Sequence, residues 1–376
     1  MVNVEIQDRI EPLVIEWERL AQQTNASPFV WPGWIEAWWH AFGEGQLQVF
    51  AAYDNGRLTG VAPLRRSGGV LRSLANGEVT PLFGFLAPNE TAVKALAHEL
   101  FAQEPRRVDL SFLSSTDTSV LQVHAAAKAA RYRVITESIE AAPYVAIDNN
   151  WDAYERGLRR KFRSELRRRQ RRLEEEGRLT LDVFDGTESL DELLEEGFRV
   201  EGSGWKGAYG TSINSSPALR RFYTKVGYWA ADRGWLKLAY LRLNGQTLAF
   251  DYCLEYNKTH YLLKTGFDPA YGKFAPGMIM RHMMLARAFS EGLSAYDFLG
   301  AGHSPWKEEW TSKHEERSFL HIFAPTALGF LDRTSFTASR WGLELTKSIT
   351  RSSIVGERRR RQLKRRYGAL LARLYR

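Results

Sequence analysis

The chain has 376 residues, 44% apolar, 12% aromatic and 26% charged, a composition that supports two or three buried cores and excludes disorder as the main state. No run of 18 apolar residues occurs, and the first residues carry acids where an export signal needs bases, so a transmembrane span and export are both disfavoured. The net charge of +8 is local. Residues 351–376 hold ten Lys/Arg against one acid, so the rest of the chain is close to neutral; within that rest a second basic cluster runs from Arg156 to Arg172 and is followed at once by Glu174-Glu-Glu176. One cysteine, Cys253, allows no intrachain disulfide and fits a reducing cytoplasm.

In chain order, apolar positions at Leu13, Trp17, Leu20 and Ala21 predict a helix over Ile10–Gln23, and Trp34, Ile35, Trp38, Trp39 and Phe42 predict another after Pro32. Leu47–Tyr53 and Leu58–Leu64 read as strands joined by an Asn55-Gly56 hairpin turn. A helix near Thr91–Phe101, a strand at Val108–Phe112, a helix near Ser119–Ala130 and strands near Arg133 and Tyr144 complete the first half. A basic helix from about Trp151 to Glu176 joins it to the second. There the pattern recurs: helix Phe222–Ala231, strand Leu236–Leu243, turn Asn244-Gly245 and return strand Thr247–Tyr256. A shift of 189 residues superposes the two Asn-Gly turns and suggests duplication. Strand His260–Thr265, a helix from Pro276 to about Gly292, and strands Ala295–Leu299 and Phe319–Ala324 follow; beyond Thr326 the chain reads as helices.

The histidines show no HxxxH or HExxH spacing and Cys253 has no cysteine partner, so no metal site is expected. No GxSxG or Walker A motif occurs, and Cys253, mid-strand, reads as a buried, inert thiol. Tyr271-Gly-Lys-Phe-Ala-Pro-Gly-Met278 follows a strand and opens a helix. Pro276 suits the first helical position, Gly277 leaves room for a ligand, and the N–H groups of Gly277, Met278 and Ile279, with Lys273 upstream, would make an anion site. A plain helix start is the alternative.

Strand Tyr261-Leu-Leu-Lys-Thr-Gly266, then Ala275-Pro-Gly277, then Tyr296-Asp-Phe-Leu-Gly300 resembles the GNAT acyltransferase superfamily. Ser27-Pro-Phe29 with its Trp-rich helix, the Arg-rich segment from Leu158 to Leu173, Gly204-Trp-Lys-Gly207 with Gly210-Thr211, and Lys307 through Trp310 resemble the branch associated with cellulose and exopolysaccharide synthesis. The resemblance spans about residues 10–325. It implies an α/β fold of tandem GNAT-like units, each a mixed twisted sheet flanked by helices, at 1–150 and 151–325, the second active, with a helical basic tail at 326–376. It also implies relation to the Fem peptidyltransferases, which use aminoacyl-tRNA. The superfamily's coenzyme A signature is absent from the expected helix start; Arg57-Leu-Thr-Gly60-Val-Ala62 matches it but lies in a hairpin strand.

What the resemblance implies is acyl transfer from acetyl-CoA or another acyl-CoA, a co-substrate rather than a tightly bound cofactor, to a small-molecule or sugar acceptor in polysaccharide or cell-envelope metabolism. The pantetheine arm would enter between splayed strands His260–Thr265 and Ala295–Leu299, with a backbone N–H near Lys264 facing the oxyanion. Glu201, Lys264 and Asp297 are the catalytic candidates; Trp205, Lys206, Asp251 and Lys307 the substrate-binding ones; Lys273, Pro276, Gly277 and Met278 the CoA-binding ones. A structural ion pair of Lys264 with Asp251 or Asp297 is the competing reading of that cluster. Two other functions stay open: a Fem-type transferase contacting tRNA through Arg156–Arg172, and a non-catalytic partner of a membrane polysaccharide synthase. Leu363, Tyr367, Leu370, Leu371 and Leu374 share one helical face amid arginines, which suits peripheral contact with the inner membrane surface; docking on the protein itself is the alternative.

Overall fold

The computed structural model describes residues 2–77, 79–80, 82–204, 210, 212–300 and 304–351, without the side chains of 139–141 and 343–351. Trp205, Lys206 and the tail from 352 onward therefore lie outside the described residues. The strands are β1 (Asn3–Gln7), β2 (Gln46–Asp54), β3 (Arg57–Ser67), β4 (Val70–Ser73), β5 (Arg107–Ser114), β6 (Arg133–Ala146), β7 (Leu179–Phe184), β8 (Leu236–Leu243), β9 (Gln246–Tyr256), β10 (Thr259–Phe267), β11 (Ala295–Asp297) and β12 (His314–Phe323). The helices are α1 (Val14–Gln23), α2 (Pro32–Phe42), α3 (Glu90–Ala102), α4 (Thr118–Ala129), α5 (Trp151–Gly157), α6 (Arg160–Glu174), α7 (Leu190–Gly202), α8 (Pro217–Ala231), α9 (Pro276–Ser290), α10 (Pro305–Glu308) and α11 (Ala327–Arg351).

The chain divides into two units: Met1–Pro12, Gly45–Ser138 and Ser318–Arg376 form one, Leu13–Glu44 and Ile139–Arg317 the other. These boundaries differ from cuts at 150 and 325 because the aromatic N-terminal segment packs with the second unit. Phe29 meets Tyr261 edge-on at 5.3 Å, Trp31 meets Trp235 at 4.8 Å, and Trp34 meets Phe222 at 5.0 Å. The expected strands near Arg133 and Tyr144 are one strand, β6, which runs from the first unit into the second. The expected basic helix is two helices, parted at Leu158, whose ψ of 151° is extended, beyond Gly157.

Strand order in the first unit is β1-β2-β3-β4-β5-β12, and in the second β6-β11-β10-β9-β8-β7. Both sheets are mixed: β4–β5 and β10–β11 pair parallel, and the hairpins pair antiparallel. The duplicated pattern extends well beyond the turns. Asn55 and Asn244 take φ of 51° and 49°, with Gly56 and Gly245 at 75° and 85°, the left-handed pair a two-residue hairpin demands. Register shifts fall between Ala52 and Tyr53 in one hairpin and between Leu241 and Arg242 in the other, the same offset as the turns. Val70, Leu71 and Arg72 pair parallel with Arg107, Val108 and Asp109; Thr259, His260 and Tyr261 pair parallel with Ala295, Tyr296 and Asp297. Each parallel ladder thus ends on an aspartate.

Helix ends follow local chemistry. Asn89 and Asn150 accept N–H bonds from Ala92 and Ala153 at 3.0 and 2.9 Å, and Pro217 and Pro276 occupy first turns. In the second unit α9 buries Ile279, Met280, Met284, Leu285 and Ala288 against Leu241, Leu248, Cys253 and Leu262. Leu158, Leu166 and Leu173, the apolar stripe of the Arg-rich segment, enter the same core.

Candidate functional site

Where β10 and β11 part, the second unit opens. Their ladder ends at Tyr261–Asp297; β11 stops there, short of the expected Leu299, while β10 continues to Phe267. On its other side β10 pairs with β9, and a bulge between Leu262 and Lys264 takes Leu263 out of register. The ladder thus ends where the sequence led us to expect a splay, and β10, the longer arm, is kinked just beyond it.

Asp297 stands at the fork. It is 8% exposed, and its Oδ1 accepts the Leu299 N–H at 2.7 Å. Burial lifts its pKa from 3.8 to about 6, with Glu315 adding to the rise and the Leu299 N–H, Arg317 and Lys307 opposing it. Leu299 and Gly300 follow with φ of 51° and 82°, a left-handed turn that ends the strand. Lys307 fastens this turn: Nζ donates to the carbonyls of Phe298 at 3.0 Å and Leu299 at 2.7 Å. The ammonium expected to bind substrate is thus held at the fork, beside the end of β11.

The other candidate carboxylates are placed differently. Asp251 is fully buried on β9, 2.7 Å from Arg281 of α9. That pairing replaces the expected one with Lys264 and removes Asp251 from substrate contact, since an ion pair this deep has no route to a ligand. Arg281 also donates to the Tyr296 hydroxyl. Lys264 instead places Nζ 5.5 Å from the Tyr223 ring centroid. Glu201, 1% exposed near the end of α7, accepts the Ile213 N–H at 2.9 Å, and its Cα lies so close to Gly266 of β10 that a Cβ there would meet it at 2.4 Å. A glycine is therefore required at 266 for α7 to lie against the cleft strand. Trp205 and Lys206 fall outside the described residues.

At the start of α9, Ala275 takes φ 53° and turns the chain from a 3₁₀ turn, Pro269–Phe274, into the helix. The N–H groups of Met278 and Ile279 both donate to the Ala275 carbonyl, at 2.9 and 3.3 Å, so the expected three-donor anion cradle is reduced to the Gly277 N–H. A Cβ at Gly277 would find its nearest neighbour, the Phe267 ring, at an ordinary 3.7 Å. Pro276 is buried and Met278 is half-buried, packed against the core rather than presented to a ligand. Lys273 is exposed, 3.8 Å from Glu176 and 4.6 Å from the Phe274 ring centroid. The helix start thus offers one N–H, one exposed cation and open space, enough for a phosphate that stays partly in solvent.

Two buried groups and one half-buried tyrosine were not singled out by sequence. Arg317 lies 1% exposed, close enough to lower the Asp297 pKa; its Nη1 donates to Glu315 at 2.6 Å. His260 stacks on Tyr296 at 4.3 Å and bonds Glu255 through Nδ1 at 2.8 Å; burial holds its pKa down. Tyr261, opposite Asp297 in the ladder, has its phenol pushed up by burial. Nothing in the sequence marks Arg317, which follows Glu315-Glu316 in a charged stretch two residues before Phe319. Cys253 is fully buried, its thiol pushed well up by burial. No group of three His, Cys, Asp or Glu suited to a metal exists among the described residues.

Residues 160–308 match the family described as the acetyltransferase (GNAT) domain. The chain carries a GNAT acetyltransferase domain. It is a transferase, and its matched segment runs from α6 through α10, containing the splayed pair, Asp297 and the start of α9. FemX is similar in fold at 14% identity and a TM-score of 0.59, over 85% of this chain and 96% of that one. So is the C-terminal domain of a putative lysylphosphatidylglycerol synthetase from Agrobacterium fabrum, at 12% identity and 0.55, over 86% and 95%. A conserved protein from Bacteroides thetaiotaomicron aligns at 12% identity and 0.57, over 85% and 100%. At these identities the likeness is one of fold, and it extends over both units. No curated protein matches the sequence.

Proposed function

We propose that the chain transfers an acyl group from an acyl-CoA to an amine or hydroxyl of a sugar or other small acceptor in polysaccharide or cell-envelope biosynthesis. The observation that supports this most is a carboxylate with a pKa near 6 at the fork of a splayed parallel strand pair in a GNAT domain. In this reading the thioester enters along β10 and its carbonyl oxygen meets backbone N–H donors at the Leu263 bulge. The acceptor nitrogen or oxygen forms the new bond to the carbonyl carbon, the carbon–sulfur bond breaks, and CoA leaves as thiolate. Asp297 accepts the acceptor's proton, and Tyr261 or solvent returns one to sulfur. Arg317 and Lys307 are positioning residues that keep the Asp297 pKa from rising further. Glu201 holds the Ile213 backbone and thereby the approach to the cleft.

The CoA phosphates would lie at Gly277 with Lys273 alongside. Gly277→Glu should abolish saturable binding of acetyl-CoA, longer acyl-CoAs and free CoA in native mass spectrometry. Because a Cβ is accommodated there, thermal stability should be unchanged. Binding that survives the substitution places the donor elsewhere. Glu201→Gln, which keeps an acceptor for the Ile213 N–H, should leave CoA affinity intact; a turnover loss of more than about a hundredfold would reassign proton transfer to Glu201.

A second reading, aminoacyl-tRNA as donor, has one observation in its favour. Arg160, Arg163, Arg167 and Arg171 lie along one face of α6 and line a groove of about 550 Å³ with Ser164, Gln170 and Glu174. Absence of CoA binding, together with tRNA affinity that falls steeply with salt, would select it.

A further inference from the structure

Helix α11, at the C-terminal end of the first unit, has two faces with different tasks. One faces the protein. Thr326 caps the helix, its Oγ1 accepting the Gly329 N–H at 3.2 Å. Gly329 is packed so tightly that a Cβ would meet the Ala324 carbonyl at 2.2 Å. Phe336 is 4% exposed and lies over His321 and Phe323, with ring centroids at 4.3 and 5.8 Å. Asp332 pairs with Arg106 at 2.8 Å and Arg340 with Glu137 at 2.7 Å. The charges that could have solubilised this helix are therefore largely spent on holding it to the unit.

The opposite face is apolar and exposed. Leu328, Phe330, Leu331 and Trp341 are 59%, 57%, 60% and 72% exposed, with Thr334, Ser335 and Ala338 between them; Asp332, the acid that borders this face beside Leu328, is paired with Arg106. Arg333, its guanidinium 5.3 Å from the Phe330 ring centroid, flanks this face. Four large apolar side chains gathered on one outer helix face are not the scattered single exposures of an ordinary surface. The charge of the adjoining sequence identifies the occupant. Residues 352–376, which come next in the sequence, hold nine Lys/Arg and one acid. Two copies meeting on this face would bring two such basic segments together, whereas an anionic lipid surface attracts them. Tryptophan, phenylalanine and leucine beside arginine are also the side chains that settle at the headgroup boundary.

We infer that the outer face of α11 is a membrane-docking surface that inserts Leu328, Phe330, Leu331 and Trp341 at the headgroup boundary of an anionic bilayer. The inference is independent of the acyl-transfer reading, because vesicle binding is measured without donor or acceptor.

The test is co-sedimentation of the full chain with vesicles of phosphatidylcholine alone and of equal parts phosphatidylcholine and phosphatidylglycerol. The parent should pellet with the mixed vesicles and stay in the supernatant with the neutral ones. The variant Leu328→Ser/Phe330→Ser/Leu331→Ser/Trp341→Ser should lose at least about tenfold in partitioning to the mixed vesicles, with an unchanged near-UV spectrum and thermal midpoint. If the parent does not pellet with mixed vesicles, or if the variant pellets as the parent does, the inference fails. A self-associating parent and a monomeric variant in lipid-free sedimentation velocity would make the face a contact between copies and also overturn it.

Discussion

Asp297→Asn should lower kcat by about a thousandfold while making the protein more stable at neutral pH. Asparagine keeps an oxygen for the Leu299 N–H, so the turn at the fork is preserved. What it removes is a buried group whose ionisation opposes folding. With the folded pKa near 6 and the ordinary value at 3.8, the ionised form is disfavoured in the folded chain by about 3 kcal/mol. Stability associated with Asp297 is fully present below its unfolded pKa and is lost as pH rises through about 6. Parent and variant should therefore unfold at similar urea concentrations at pH 4, and the variant should be the more resistant at pH 8. In the parent, kcat/KM should climb with pH through about 6 and level off; in the variant that limb should vanish. Retained activity with an unchanged pH profile would remove Asp297 from the chemistry.

Arg281→Met should destabilise the second unit by about 3–5 kcal/mol, with CoA binding affected only through unfolding. The substitution leaves Asp251 buried without its counter-charge and takes the Tyr296 hydroxyl's donor away. Pairing it with Asp251→Leu should restore most of the loss, because two apolar side chains replace two desolvated charges. Urea unfolding of the single and double variants measures both effects. A double variant as unstable as the single one would mean that the pair's geometry, rather than its charge balance, holds β9 against α9.

The parts of this protein that were legible in its sequence are those fixed by local chemistry. Asn-Gly turns, alternating strands and the Pro-Gly helix start each depend on a few neighbouring residues, and the structure places them where the pattern did. The GNAT motifs located the cleft strands for the same reason, since Tyr261 to Gly266 and Tyr296 to Gly300 are short contiguous runs. What was not legible depended on partners far away in the chain. Nothing near Leu13–Glu44 says that its tryptophans will pack with residues beyond 220. Asp251 could not be separated from Asp297 by context, as both sit in apolar strands; the approach of Arg281 makes one an ion-pair partner, while burial lifts the pKa of the other to about 6. That Lys307 reaches two carbonyls eight and nine residues back has no sequence mark.

The aspartate that ends the parallel ladder in the first unit, Asp109, has had a different history from Asp297. Burial would raise its pKa, but the His321 Nδ1 bond at 2.9 Å and the charges of Arg107 and Arg72 hold it below the ordinary carboxylate range. If the two ladders descend from one ancestral unit, this copy has traded a reactive carboxylate for a fixed anion. Asp109, His321 and Arg107 are then inherited as a set: loss of one strands the others in the interior, so drift there must proceed by joint replacement. Asp297, in contrast, accepts a bond from a neighbouring backbone N–H, that of Leu299, which an asparagine would also accept, and it can change alone whenever selection for catalysis relaxes. Among descendants of this chain, Asp297 should therefore be the first of the two aspartates to disappear where activity has been lost, and Asp109 should outlast it.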